Sequence, residues 1–199
     1  MQRTRICLIR HGQVAGYEEK RYNGHADVPL TAEGEAQFGL LQLRLQKKEI
    51  SAVYSSDLSR CQIGARLLAA DHDLEVQCDA QLRELNIGAW EGKTWAELQA
   101  LYPQQWQARL ADIVNYQVPQ GESLVDLADR VRPVIARIVA AHPGEEVLVV
   151  AHGGTNRVIL LDAIGAPLSC LFAIEQGYGC LNIIDYYADG NAVVQLLNG

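Results

Sequence analysis

The chain has 199 residues, 49% of them hydrophobic, with 17 Lys and Arg against 24 Asp and Glu and a formal net charge of −7. This length and hydrophobic content suit one domain, residues 1–199, with a substantial core, and they exclude a disordered chain. The negative balance disfavours a general nucleic-acid or anionic-membrane surface, so an anionic ligand would need a local positive pocket.

In chain order, residues 4–9 read as a short buried strand that delivers Arg10, His11 and Gly12. Its apolar run, Ile6 to Ile9, is too short for a signal peptide or a membrane span, and a cytoplasmic protein is expected. Residues 13–30 are polar, broken by Gly16, Gly24 and Pro29, and read as a long loop of the functional kind. Thr31 is placed to cap a helix reaching about Lys48. A second strand, Ser51 to Ser56, is followed by Asp57, which is expected to cap a helix carrying Ile63, Leu67 and Leu68. A third strand is expected at Leu74 to Cys78, then an irregular stretch with short helices at Thr94–Leu101 and Gln104–Ile113. After Gly121 comes an amphipathic helix in which Pro133 predicts a kink or an early stop. The buried run Glu145 to Gly154 ends on His152-Gly153-Gly154 and leads into a helix over Thr155–Ile164. Two late strands are expected near Leu181–Tyr186 and Val193–Leu197.

Strands alternating with helices predict an α/β chain, a three-layer α/β/α sandwich on a mostly parallel central sheet. Such sheets bind ligands beyond the carboxyl ends of their strands, and two of those ends carry a histidine followed by glycine. If the two strands are neighbours, His11 and His152 lie close together. Free N–H groups of a helix after His152 would favour an anion. Arg60, early in a helix after a strand, is a third basic candidate. Phosphoryl transfer uses such a set: arginine forks answer the phosphate charge, a neutral imidazole can be the nucleophile, and a carboxylic acid must protonate the leaving oxygen. Glu84, in "LRELNIGAWEG", is the carboxyl candidate. None of these groups requires a metal or a cofactor.

The segments "LIRHG", "NGHADVPLTAEGEAQ", "VYSSDLSRCQIGARLL", "LRELNIGAWEG", "GESLVDLADRV" and "VLVVAHGGTNRVIL" resemble, in order and approximate spacing, the successive motifs of the histidine phosphatase superfamily, the phosphoglycerate mutase-like proteins, over residues 4–165. The resemblance implies that His11 is the phosphorylated nucleophile, that Arg10, Arg60 and His152 clamp the phosphate, and that Glu84 is the proton donor. Gly153 matches the glycine after the second histidine, where a backbone N–H can approach phosphate. Many members carry an asparagine six residues after the nucleophile. Tyr17 stands there in this chain, and Asn23, followed by Gly24, is the nearest amide that could replace it.

The stretch Arg83 to Leu98 lacks the "RHYG"-type segment of the cofactor-dependent mutases and resembles the smaller phosphatases, among them the α-ribazole phosphatases of the cobalamin pathway. Broad-specificity sugar-phosphate phosphatases share these motifs. Trp90, Trp95, Trp106, Tyr102 and Tyr116 could wall a pocket for an aromatic base or serve as core and lid packing. The implied partner is a small phosphomonoester, with no nucleic acid and no membrane, and a homodimer is left open. A non-catalytic phosphate-binding module on the same fold usually lacks one core His or Arg, and this chain keeps them all. A metal hydrolase usually shows clusters such as H-x-x-H or H-E-x-x-H, and neither occurs. The cysteines, Cys7, Cys61, Cys78, Cys170 and Cys180, form no C-x-x-C pair and read as reduced, buried packing residues.

Overall fold

A computed structural model describes residues 2–199. A six-stranded sheet has the order β3-β2-β4-β1-β5-β6, formed by β1 (Arg3–Arg10), β2 (Ile50–Ser55), β3 (Val76–Cys78), β4 (Glu146–Ala151), β5 (Leu181–Tyr187) and β6 (Ala192–Leu196). The first four strands in this order run parallel, and β5 pairs antiparallel with β1. The central strands bury both faces, which is why their sequences are continuous apolar runs rather than alternating ones. Cys7, Ile9, Val53, Leu148 and Val150 pack on one side against α1 (Ala32–Leu45) and α2 (Ser59–Ala70). Ile6, Leu8, Val147 and Val149 pack on the other against α5 (Leu124–Ala141) and α6 (Gly153–Ala163). Between β3 and α5 lies the irregular stretch, which includes α3 (Trp95–Leu101) and α4 (Pro103–Ala111).

Thr31 caps α1 as expected, its Oγ accepting from the Gly34 N–H at 3.0 Å, and α1 ends at Leu45, three residues before the expected limit. Asp57 does not cap α2. The residue at that cap is Leu58, without a side-chain bond. Asp57 instead forms a two-point ion pair with Arg83, both contacts at 2.6 Å. The first α2 N–H, that of Ser59, donates to Asp27 of the long loop at 2.9 Å. Loop and helix are thus tied together. Pro133 neither stops nor shortens α5, which runs 18 residues from its Ser123 capping box. Pro133 is exposed, so the lost amide and the displaced carbonyl of the preceding turn face solvent, while Val131, Val134, Ile135 and Ile138 hold the buried stripe. Cys7, Cys61 and Cys180 are buried, but Cys78 is exposed on the sheet-edge strand and Cys170 is half-buried. Among the described residues no helix is long and apolar enough to cross a membrane.

Candidate active site

The pairing of β1 with β4 sets Arg10 opposite Ala151, so both strands release their next residue, His11 and His152, at the same sheet edge. The imidazoles meet edge to face with centroids 5.2 Å apart. Gly12 makes this turn possible: a Cβ there would lie 2.2 Å from the Gly34 carbonyl oxygen, inside the first turn of α1.

His11 is 5% exposed and lies at the floor of a cleft of 480 Å³. Its Nδ1 is 2.8 Å from the Gly12 carbonyl, which can only accept, so the Nδ1 proton is committed and Nε2 keeps the free lone pair. Burial, then Arg10 and Arg60, hold the imidazole well below its ordinary 6.5. His152 is fully buried and is likewise lowered, by burial and by Arg60. Its Nδ1 accepts from Arg60 Nε at 3.3 Å, which places its proton on Nε2, 2.8 Å from Ser56 Oγ. Both rings are therefore neutral near pH 7.

Arg10 lies in the cleft, its guanidinium 3.9 Å from the Tyr178 ring centre, with Nη1 donating to the Gln176 carbonyl at 2.6 Å and Nε unpartnered. Gly153 is adjacent: a Cβ there would lie 3.3 Å from both Arg10 Nε and Arg157 Nη1. Arg60 is placed differently. It is 0% exposed, and its fork donates to the carbonyls of Ala26 (2.7 Å) and Gly24 (2.8 Å) as well as to His152. It lies behind the cleft, holding residues 23–26 of the loop against the second histidine.

Glu84 forms part of the cleft wall. Its carboxylate takes the N–H groups of Leu85 (2.9 Å), Gly154 (2.9 Å) and Thr155 (3.3 Å). The second and third amides of α6 are thus taken up by the Glu84 carboxyl group, which fixes its position in the cleft wall. The neighbouring backbone is fixed by Arg130, whose guanidinium donates to the Arg83 and Glu84 carbonyls (2.9 and 2.8 Å) and pairs with Glu122 (2.8 Å). The "GESLVDLADRV" segment therefore supports the Glu84 loop. Because Arg83 pairs with Asp57, it does not compete for Glu84.

Tyr17, Asn23 and Gly24 also line the cleft. Tyr17 sits 42% exposed in a short 3-10 turn, its hydroxyl donating to Glu18 at 3.1 Å. Asn23 approaches Arg60 through its main-chain carbonyl, at 3.4 Å. Of the aromatic residues considered for a base pocket, Trp95 lines the cleft, whereas Trp90 is buried and Tyr102, Trp106 and Tyr116 pack against the core. His25 is not among the cleft-lining residues and binds the Glu84 carbonyl through Nε2 at 3.0 Å.

Sequence reasoning missed Arg157, Arg109, Tyr22 and Tyr178 in the cleft. A signal existed for Arg157, which lies four residues after Gly153 on α6 and so on the same helix face. The others are brought in by segments with no regular spacing to the histidines. Among the described residues no cluster of three or more His, Cys, Asp or Glu could hold a metal.

The family model described as the histidine phosphatase superfamily (branch 1) matches residues 6–199. A bifunctional protein of Mycobacterium tuberculosis is 36% identical over 196 residues, 98% of this chain and 54% of its own length. The adenosylcobalamin/alpha-ribazole phosphatase of Escherichia coli is 32% identical, covering 91% of this chain and 89% of its own. The chain spans about half the length of the first curated relatives it matches, 54%. Among solved structures, the alpha-ribazole phosphatase of Shigella flexneri superposes with a TM-score of 0.90 at 30% identity over 98% of this chain and 96% of its own. A mycobacterial glucosyl-3-phosphoglycerate phosphatase does so with 0.87 at 28% identity over 100% of both. The chain belongs to the histidine phosphatase superfamily.

Proposed function

We propose that this chain hydrolyses small phosphomonoesters through a phosphohistidine, without a metal. The observation that carries the reading is His11: a neutral imidazole with its Nδ1 proton committed to Gly12, in a cleft also lined by Arg10, whose Nε has no hydrogen-bond partner. In the first step the Nε2 lone pair of His11 attacks phosphorus while the bond to the alcohol oxygen breaks, and Glu84 gives that oxygen its proton. In the second, Glu84 takes a proton from water, the water oxygen attacks phosphorus, and the P–N bond breaks, releasing phosphate and restoring neutral His11. Arg10, Arg157 and the Gly153 N–H answer the charge on the phosphoryl oxygens. Arg60 and His152 act from behind as fixed charge and support.

The finer reading, α-ribazole 5′-phosphate in cobalamin synthesis, is supported by the names of relatives, and a sugar-phosphate reading by another. One observation favours substrates with more charge than a single phosphoryl group. The cleft is lined by Arg10, Lys20, Arg21, Arg109 and Arg157 against Glu84 and Glu175, in a chain of net charge −7.

The test is turnover of a phosphomonoester in excess chelator by the wild type and by His11→Ala, with rapid acid-free quenching to detect acid-labile, base-stable protein phosphate. Turnover and trapped phosphate that both vanish in His11→Ala support the reading. Retained turnover in that variant removes His11 as nucleophile, and wild-type activity only on added metal overturns the metal-free mechanism.

A further inference from the structure

β5 runs antiparallel to β1, so the chain enters β5 at the sheet edge where β1 ends, with Leu181 opposite Ile9. The entering segment, residues 176–180, lies against Arg10 and His11, and three bonds join them. The Gln176 carbonyl accepts from Arg10 Nη1 at 2.6 Å, the Cys180 carbonyl accepts from the Arg10 N–H at 3.1 Å, and the Gly179 N–H donates to the His11 carbonyl at 3.1 Å. The segment is itself pinned. The Gly177 N–H donates to Asn198 Oδ1 at 2.6 Å, and the buried Gln176 amide donates to Asn182 Oδ1 at 2.8 Å. Tyr178 stands in the middle of this segment, half-buried, on the cleft. Its ring meets both groups that the β1 end delivers. The Arg10 guanidinium lies over it, 3.9 Å from its centre, and the His11 imidazole is tilted against it with centroids 5.7 Å apart. Arg10 is held by neutral groups. Among the described residues no carboxylate pairs with it, and its side chain rests on the Gln176 carbonyl and the Tyr178 ring. A carboxylate could fix the guanidinium as firmly, but it would offset the charge that a phosphoryl group needs. A ring face attracts the cation and brings no net negative charge.

We propose that Tyr178 is a positioning residue whose ring face holds the Arg10 guanidinium where it meets the phosphoryl group. The proposal rests on the phosphomonoesterase reading above and adds to it the group that aims its arginine. The contact is made by the ring face, so the role belongs to the ring and not to the hydroxyl. Because Tyr178 acts through Arg10, it serves the phosphoryl group that every substrate shares, whatever the alcohol.

The experiment measures kcat/KM for phenyl phosphate and for glycerol 3-phosphate in the wild type, Tyr178→Phe and Tyr178→Leu. Both substitutions are also made in an Arg10→Met background. Tyr178→Phe should stay within about twofold of the wild type, and Tyr178→Leu should lose roughly tenfold or more on both esters alike, the scale of a desolvated cation–π contact. In the Arg10→Met background Tyr178→Leu should cost less than about twofold, because the group it aims is gone. Should Tyr178→Leu fail to fold, Tyr178→Met takes its place. Should Arg10→Met be too slow to measure, the contrast of Phe with Leu decides alone. A loss in Tyr178→Phe as large as in Tyr178→Leu puts the hydroxyl in the reaction and overturns the role of the ring. Wild-type rates in Tyr178→Leu, a loss confined to one ester, or the full loss repeated in the Arg10→Met background overturn it as well. Each of these leaves the phosphatase reading intact. No wild-type turnover of either ester overturns that reading and this inference with it.

Discussion

The amide of Gly154 donates to Glu84 Oε2 at 2.9 Å, and a Cβ on residue 154 would stand 2.4 Å from Glu84 Oε1. The carboxylate and the start of α6 are built to this contact. Gly154→Ala must displace Glu84, leaving the fold in place. It should lower kcat on alkyl phosphates, whose poor leaving groups need a proton, by about 10²-fold or more, the usual worth of a general acid. Loss on aryl phosphates should be much smaller, and Glu84→Gln should reproduce the pattern. Equal losses on both ester classes, measured by steady-state kinetics, would count against the proton-donor role.

The two neutral histidines set a pH dependence. His11 and His152 are both held well below 6.5, by burial and by the arginines around them. The free-enzyme kcat/KM should therefore show no loss centred on 6.5, and its acid limb should fall lower. Linkage runs the same way. Below 6.5 the unfolded chain takes up protons at these two positions that the folded chain refuses, so stability present above 6.5 is lost as pH falls toward the folded values. Replacing His152 by Asn should flatten this part of a stability–pH curve measured by urea unfolding. A curve unchanged by the substitution would show that His152 is not held neutral by the fold.

Arg130 does not line the cleft, yet it holds the backbone of Arg83 and Glu84 and pairs with the partly buried Glu122. Arg130→Met should cost about 2–4 kcal/mol of stability, since it strands Glu122 and removes the bonds to the Gln81, Arg83 and Glu84 carbonyls. It should also lower kcat on alkyl phosphates more than it raises KM, as expected of a positioning residue. Guanidinium denaturation and kinetics on the same preparation test both halves. Unchanged kinetics in a destabilised variant would reduce Arg130 to a structural role.

Arg60 is wholly buried between the 23–26 loop and His152. Arg60→Lys keeps the charge but cannot serve both loop carbonyls and the imidazole in one plane. It should lose nearly as much activity as Arg60→Ala and make the loop more susceptible to limited proteolysis near Asn23. Activity close to wild type in Arg60→Lys would show that charge alone suffices.

The order of strands and helices was legible because buried parallel strands and capped amphipathic helices leave local signals. "CLIR", "VLVVA" and the Thr31 and Ser123 caps are such cases. Asp57 was misread because a cap and an ion-pair partner look alike in one dimension, and only the fold brings Arg83 to it. Pro133 misled because its effect depends on which side of α5 it occupies. The histidines and Glu84 could be named from motif order. Arg109 and Tyr178 could not, since they reach the cleft from separate irregular segments and carry no spacing that marks them.

Gly12 rests on Gly34 main chain to main chain. The turn that carries the nucleophile thus leaves no room for a side chain at residue 12. The cleft itself is lined by replaceable side chains, Tyr22, Trp95 and Leu124 among them. A library aimed at new substrates should leave Gly12 and Gly34 alone and place its diversity on those side chains, away from the turn that aims the attacking imidazole.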